Sequence, residues 1–412
     1  MRILFVHQNF PGQFKHLAPA LVQRGHEVAA MTMKADQPAQ WEGVRLIPYR
    51  VARLSTPQIH PWLADFETKT IRGEAAFRAA AALKAQGYSP ELIVAHPGWG
   101  ESLFLKDAWP QARLGMYCEF FYKAEGADLN FDPEFPGEEE TAACQMRLKN
   151  INNLLHFEVA DAGLAPTQWQ ADNFPKPFRD KVTVVHDGID THALTPNPAV
   201  SLSLNGQPPI TRADEVVTFV NRNLEPYRGY HVFMRSLPRL LKLRPKARIL
   251  IIGADGAGYG KKPAKGGSWR EIYLAEIAPQ LSSAERDRIF FLGAVPYHQY
   301  VALMQLSTVH VYLTYPFVLS WSLLEAMSMG CAIVASDTAP VREAIRHAET
   351  GRLVPFFDAD GLAHEVAGLL ADAPQRARLG ANARADAVAR YDLAAVCLPR
   401  QIAWVEGLAA PL

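Results

Sequence analysis

Residues 289–324, IFFLGAVPYHQYVALMQLSTVHVYLTYPFVLSWSLL, contain no Lys, Arg, Asp or Glu. A run this long and uncharged is either a membrane span or the buried interior of a globular domain. Pro296, His298, Gln299, Gln305, Ser307, His310 and Pro316 break the apolar character at short intervals, which a bilayer-crossing helix would not tolerate. The better account is a strand over 289–292, a helix over 297–306 and a strand over 309–313, all inside an α/β core.

The same alternation extends outward in both directions. One series of strand candidates covers 3–7, 27–31, 92–95, 114–118, 162–165 and 182–186; a second covers 216–220, 247–252, 289–292, 309–313, 332–335 and 351–354. Amphipathic stretches at 13–24, 230–243, 297–306 and 322–329 lie among them. Short apolar strands each followed by a helix predict parallel, doubly wound sheets. Between the two series, 191–214 (THALTPNPAVSLSLNGQPPITRAD) holds four prolines and few large apolar residues, the composition of a linker. The predicted organisation is therefore a first Rossmann-like domain over 1–190, a linker over 191–214, a second domain over 215–390, and a helix over 391–412 crossing back to the first. Ligands of open α/β sheets bind beyond the carboxyl ends of strands, so two such halves facing one another predict a cleft lined by post-strand loops.

Composition narrows the function. The 412 residues carry 42 Lys+Arg against 42 Asp+Glu, and 49 % are hydrophobic. Disorder is excluded, and a balanced charge gives no global field to hold nucleic acid or an anionic bilayer. Phosphate must be bound locally. Cys118, Cys144, Cys331 and Cys397 are scattered without a CxxC or Cys/His cluster, so no metal is expected and a reducing, cytoplasmic setting fits. Met1–His7 has too short an apolar run for a signal-peptide core and reads as a first strand.

Four post-strand loops can carry chemistry. Gln8–Gln13 places Gly12 where backbone amides can approach an anion, or simply turn the chain. His96-Pro97-Gly98-Trp99-Gly100-Glu101 puts a histidine at a strand end, able to bond a hydroxyl or phosphate or merely to cap a turn. In 220–229, Arg222 and Arg228 flank a rigid turn ahead of a helix, a phosphate cradle if they are not plain surface arginines. Tyr315–Ser322 leads exposed amides and the hydroxyls of Ser320 and Ser322 into another helix start. Glu325 reads equally well as the second half of a Ser322-x-x-Glu325 capping box. The glycine-rich 253–260 loop lacks dinucleotide-fingerprint spacing. Asp358-Ala359-Asp360 reads as a helix cap, the acidic stretch 124–140 as a solvated loop, and the basic set Arg235 to Arg248 as a solvated face.

With these residues in place, the second half resembles the donor-binding domain of the family-4 retaining glycosyltransferases of GT-B fold. The likeness centres on Ser322–Pro340, SLLEAMSMGCAIVASDTAP, similar to the signature around the second glutamate of that family's Glu-x7-Glu motif. It is supported by 219–229, 251–256, 291–295 and 349–354, and in the first half by 1–31 and the VVHDGID turn at 184–190. The resemblance implies metal-independent transfer of a hexose from a UDP- or GDP-linked donor to a glycan, lipid-linked or protein acceptor. Surface glycan synthesis in the cytoplasm, with peripheral contact at the inner membrane face, would be the setting. Arg222 and Arg228 would grip the diphosphate, Glu325 the donor ribose, His96 the transferred sugar, Val295 the base and Gly12 the diphosphate. One departure stands out: Phe317 occupies the position of the family's first glutamate. It leaves open a different sugar, a contact through Ser320 and backbone amides, a catalytically degenerate nucleotide- or sugar-binding subunit, or a nucleotide-sugar epimerase or hydrolase.

Overall fold

A computed structural model describes all residues except 35–37, 138, 204–207, 265 and 410–412. Glu138 of the acidic stretch, 204–207 of the predicted linker and 410–412 of the predicted last helix thus lie outside the described residues. The chain divides into two units, Met1–Gly188 with Ala394–Leu412, and Ile189–Leu393.

The first unit is built on β1 (Arg2–Val6), β2 (Glu27–Thr32), β3 (Gln40–Trp41), β4 (Val44–Pro48), β5 (Leu92–Ala95), β6 (Arg113–Tyr117), β7 (Ala162–Ala165) and β8 (Val182–Val184). They form one sheet in the order β3-β4-β2-β1-β5-β6-β7-β8. Every pairing is parallel except β3 with β4. Leu4 pairs with both Ala29 and Ile93, placing β1 at the centre. Its residues 3–6 are fully buried because alternate side chains enter different cores. Ile3 and Phe5 pack with Phe14, Leu17 and Val405, whereas Leu4 and Val6 pack with Ala76, Ala80 and Trp109. The C-terminal helix Leu398–Ala409 belongs to this unit, with Gln401 Nε2 donating to His186 O at 2.9 Å. A Cβ on Gly115 would lie 2.6 Å from the Trp404 ring, so β6 accepts this helix only with glycine there. Helix Ala64–Ala85 was not foreseen: its buried residues mix small Gly73, Ala76 and Ala80 with Lys69, Ile71 and Leu83, which gives little periodic apolar contrast.

The second unit carries a parallel sheet, β13-β12-β11-β14-β15-β16. Its strands are β11 (Val216–Asn223), β12 (Arg248–Ala254), β13 (Ile289–Gly293), β14 (Val309–Tyr312), β15 (Ala332–Ser336) and β16 (Arg352–Val354). The uncharged stretch resolves into β13, helix Tyr297–Leu306 and β14, followed by the loop to helix Trp321–Ser328. No described helix is long and apolar enough to cross a membrane. Within 191–214, Leu194 and Ile210 are buried, and the ribbon of β9 (Ser201–Leu202) and β10 (Ile210–Thr211) pairs antiparallel. Asp358 caps helix Ala359–Ala371 by accepting from Gly361 N at 2.7 Å.

Candidate active site

In the second unit, β11 runs into the single turn Pro226–Arg228 before helix Tyr230–Leu243. Gly229 between them has φ +71°, and a Cβ there would lie 2.3 Å from Leu313 Cβ. Glycine therefore lets the turn lie against the end of β14. Arg228 is buried; its Nη1 donates to Thr314 Oγ1 at 2.8 Å and Val318 O at 3.0 Å. Its guanidinium carbon lies 5.2 Å from the Tyr259 ring centre and 5.8 Å from that of Phe317. Arg222, at the end of the same strand, is exposed and makes no ion pair or side-chain hydrogen bond among the described residues. The two arginines thus differ: one is locked into the loop 313–320, the other is available.

Helix Trp321–Ser328 is capped by Ser320, whose Oγ accepts from Ser322 N at 3.4 Å and lies 3.0 Å from Ser322 Oγ. The Ser322-x-x-Glu325 capping box is therefore not formed. With Ser320 at the N-cap, Glu325 lies beyond the first turn, out of register for reciprocal capping. Its carboxylate instead accepts from Tyr297 Oη at 2.8 Å and Tyr300 Oη at 2.7 Å. Burial, followed by the Glu325 charge, raises both phenols far above their ordinary range and keeps them donors. Val295, half-buried, packs against the apolar clusters on this side of the sheet. Phe317 is buried too, 5.1 Å from the Tyr227 ring and 4.8 Å from Tyr259.

Sequence reading missed Glu225. Its carboxylate accepts from the backbone N–H groups of Gly258 (3.1 Å), Tyr259 (3.1 Å) and Gly260 (2.9 Å). A Cβ on Gly258 would sit 2.4 Å from Glu225 Oε1, which explains a glycine-rich loop with no dinucleotide spacing. Tyr259, Tyr297 and Tyr300 were missed for the same reason: each meets its partner only across the fold.

In the first unit, His96 follows β5 and is buried, stacked on Trp99 at 4.5 Å and Tyr117 at 5.4 Å. Its Nδ1 accepts from Gly98 N at 3.1 Å, which leaves the Nε2 proton for Glu119 Oε2 at 3.2 Å. A second histidine converges on the same carboxylate. His7 Nδ1 accepts from Asn9 N at 3.0 Å, its Nε2 meets Gln13 Oε1 at 2.8 Å, and Gln13 Nε2 donates to Glu119 Oε1 at 3.1 Å. Burial, reinforced by His96, lowers the His7 pKa to about 4, so it stays neutral. Burial alone would raise the Glu119 pKa, but the hydrogen bond and charge of His96 and the Gln13 amide reverse this, leaving it below the usual range. Gly12, with φ +48°, packs against His7: a Cβ would lie 2.3 Å from its Nε2. The structure thus seats Gly12 against an imidazole, and His7, Gln13 and Glu119 join His96 in one polar network.

Residues 24–194 match the family model described as glycosyl transferase family 4 group, and residues 205–386 that of glycosyl transferases group 1. A phosphatidyl-myo-inositol mannosyltransferase of Mycolicibacterium smegmatis is 32 % identical over 216 residues, 52 % of this chain and 48 % of that protein. This chain therefore spans about half the length of that relative. A D-inositol 3-phosphate glycosyltransferase of Corynebacterium efficiens is 25 % identical over 372 residues, 88 % of this chain and 82 % of that protein. Among solved structures, the sucrose-phosphate synthase of Thermosynechococcus elongatus superposes with a TM-score of 0.74 at 18 % identity over the whole of both chains. Anabaena HepE, in complex with UDP and glucose, superposes with a TM-score of 0.67 at 18 % identity over 99 % of both. Two successive glycosyl transferase models thus match most of the length of this chain, and its two Rossmann-like units have the GT-B fold of the structures on which it superposes.

Proposed function

We propose that this protein transfers a sugar from a UDP- or GDP-linked donor to an acceptor hydroxyl with retention of anomeric configuration, in surface glycan or glycoconjugate synthesis. The observation that carries the reading is the loop 313–320, braced from below by buried Arg228 and leading into the helix on which Tyr297 and Tyr300 orient Glu325. Arg222, Arg228 and the amino end of helix Trp321–Ser328 offset the charge that develops on the departing diphosphate, so no metal is required. Glu325 receives the donor ribose hydroxyls. The acceptor oxygen bonds to the anomeric carbon as the bond from that carbon to the phosphate oxygen breaks, and the acceptor proton passes to the departing phosphate. UDP bound in HepE supports a nucleotide donor. The mannosyltransferase and inositol-phosphate glycosyltransferase relatives support a polyol-type acceptor.

Phe317 motivates a second reading, a subunit that binds nucleotide without turnover, because an aromatic side chain cannot hold donor-sugar hydroxyls as a glutamate would. Incubation with UDP- and GDP-sugars and an acceptor panel separates the two, with nucleotide release measured and the product anomer assigned by NMR. Acceptor-dependent release with retained configuration is expected. Binding without consumption of any donor selects the second reading. An inverted product removes the retaining mechanism, and release without acceptor makes the protein a hydrolase or epimerase.

A further inference from the structure

Three post-strand loops of the second unit meet in an aromatic cluster. Tyr227 follows β11, Tyr259 follows β12, and Tyr315 and Phe317 follow β14; these three strands are neighbours in the sheet. The Tyr227 ring lies 4.8 Å from that of Tyr315 and 5.8 Å from that of Tyr259. Tyr315 and Phe317 are buried, whereas Tyr259 is 55 % exposed. The Tyr259 residue is thus packed on one side by Phe317, Tyr227 and the Arg228 guanidinium, and open on the other.

The loop that carries this ring is held by Glu225, which binds the amide of Tyr259 itself and those of the glycines on either side. Those three amides are therefore not offered to a phosphate. A carboxylate has about four acceptor sites, so the three N–H groups and its own burial leave Glu225 little to offer a sugar hydroxyl. What the loop presents outward is the aromatic face. In the donor chemistry proposed above, Glu325 takes the ribose and Arg228 the diphosphate. The Tyr259 ring centre lies 5.2 Å from the Arg228 guanidinium carbon, so the group it meets is the one bonded to the far side of the diphosphate, the transferred sugar. An aromatic face packs against ring C–H groups, whereas a hydroxyl pressed on it gives up water without gaining a hydrogen bond. Carbon 6 of a hexopyranose is the position where loss of the hydroxyl leaves a methyl group, projecting from the ring and able to lie on such a wall.

We propose that Tyr259 is a specificity-determining residue that stacks on the transferred sugar and selects a 6-deoxyhexose over the matching hexose, with Glu225 as the positioning residue that fixes its loop. The assignment rests on the glycosyl-transfer reading in taking the bound ring to be the donor sugar.

The test is isothermal titration of the full chain with two base-matched pairs, UDP-glucose against UDP-6-deoxyglucose and GDP-mannose against GDP-6-deoxymannose, and with free UDP and GDP. Burying one methyl group is worth about fourfold in affinity, so the 6-deoxy member should bind at least about fourfold more tightly in a pair whose free nucleotide binds. Tyr259→Ala should reduce that margin to less than about twofold and Tyr259→Phe should keep it, both binding the free nucleotide as the wild type does. Glu225→Gln should shrink the margin too; a carboxylate that merely braced the loop would lower the Tm and leave the margin intact, which removes the positioning role. A wild type that binds the hexose as tightly as its 6-deoxy partner, or a Tyr259→Ala variant that keeps the margin, overturns the proposal. So does a Tyr259→Ala variant that weakens the free nucleotide as much as the sugar nucleotide, because the ring then stacks on the base. Free nucleotide binding with no margin sinks this inference alone and leaves the donor reading standing. Binding of neither UDP nor GDP sinks both.

Discussion

Glu325→Gln separates a ligand-binding carboxylate from a structural one. Glu325 accepts two phenolic hydrogen bonds, at 2.8 Å from Tyr297 and 2.7 Å from Tyr300. The amide keeps the shape and can still accept one phenol, while its NH2 group faces the other, whose oxygen can accept in turn. Replacing two charge-assisted bonds by neutral ones costs about 1–3 kcal/mol of stability in the second unit, or a Tm lower by roughly 2–10 °C. If the carboxylate also receives ribose hydroxyls, losing its charge removes about 1.5–3 kcal/mol from donor affinity, roughly ten- to 150-fold in Kd. Tyr300→Phe is the companion: it removes the orienting phenol but leaves the charge, so its Tm should fall with a smaller loss of affinity. Titration with UDP and scanning calorimetry on the same preparations give both numbers. A Glu325→Gln variant whose Tm drops while its UDP affinity stays within about twofold of wild type refutes the ribose role and leaves Glu325 as a clamp for Tyr297 and Tyr300.

Arg222→Ala should leave the Tm unchanged, since that side chain is exposed and makes no ion pair among the described residues, whereas Arg228→Ala should lower it by several degrees by stranding Thr314 Oγ1 and Val318 O. Both should weaken UDP binding; a variant that does not is removed from the diphosphate site. Gly229→Ala combines a left-handed φ of +71° with a 2.3 Å approach to Leu313 Cβ. It should cost about 2–5 kcal/mol, seen as a Tm lower by ~5–15 °C, and a Tm within about 1 °C of wild type would show that the turn is not packed as described. Burial lowers the pKa of His7, His156 and His186 to about 4 and that of His310 to about 3. Below about pH 6.5 the unfolded chain binds protons that the folded chain refuses. Stability is thus complete above that pH and falls towards pH 4, by up to ~1.4 kcal/mol per pH unit per histidine. Urea midpoints that do not change between pH 7.5 and pH 5 would contradict this.

The elements that sequence reading located are those whose signal is local. Helices Tyr230–Leu243 and Tyr297–Leu306 fall where apolar spacing put them, and β1, β5 and β14 are short apolar runs that need covering on both faces. Helix Ala64–Ala85 escaped because its buried residues include a lysine, a glycine and two alanines as well as Ile71 and Leu83, and part of that face is buried by close approach: a Cβ on Gly73 would meet Gly100 O at 2.9 Å. That contact, invisible along the chain, supports the turn after His96. The capping-box reading of Glu325 failed for a related reason. Spacing identified two residues able to cap, and a serine two positions earlier took the role.

By itself, then, the sequence determined the alternation of strand and helix and the division into two α/β halves, and it singled out the loops after strands as candidate places for chemistry. Burial periodicity and turn residues act over a few positions, and a linear reading captures them. Tertiary structure alone decided which side chains meet: Glu225 with the amides of 258–260, Arg228 with Thr314, Glu325 with Tyr297 and Tyr300, and Glu119 with His96 and Gln13. Those partners lie 23 to 106 positions apart in the chain. Parallel sheets place the carboxyl ends of successive strands side by side, so residues distant in sequence become neighbours there.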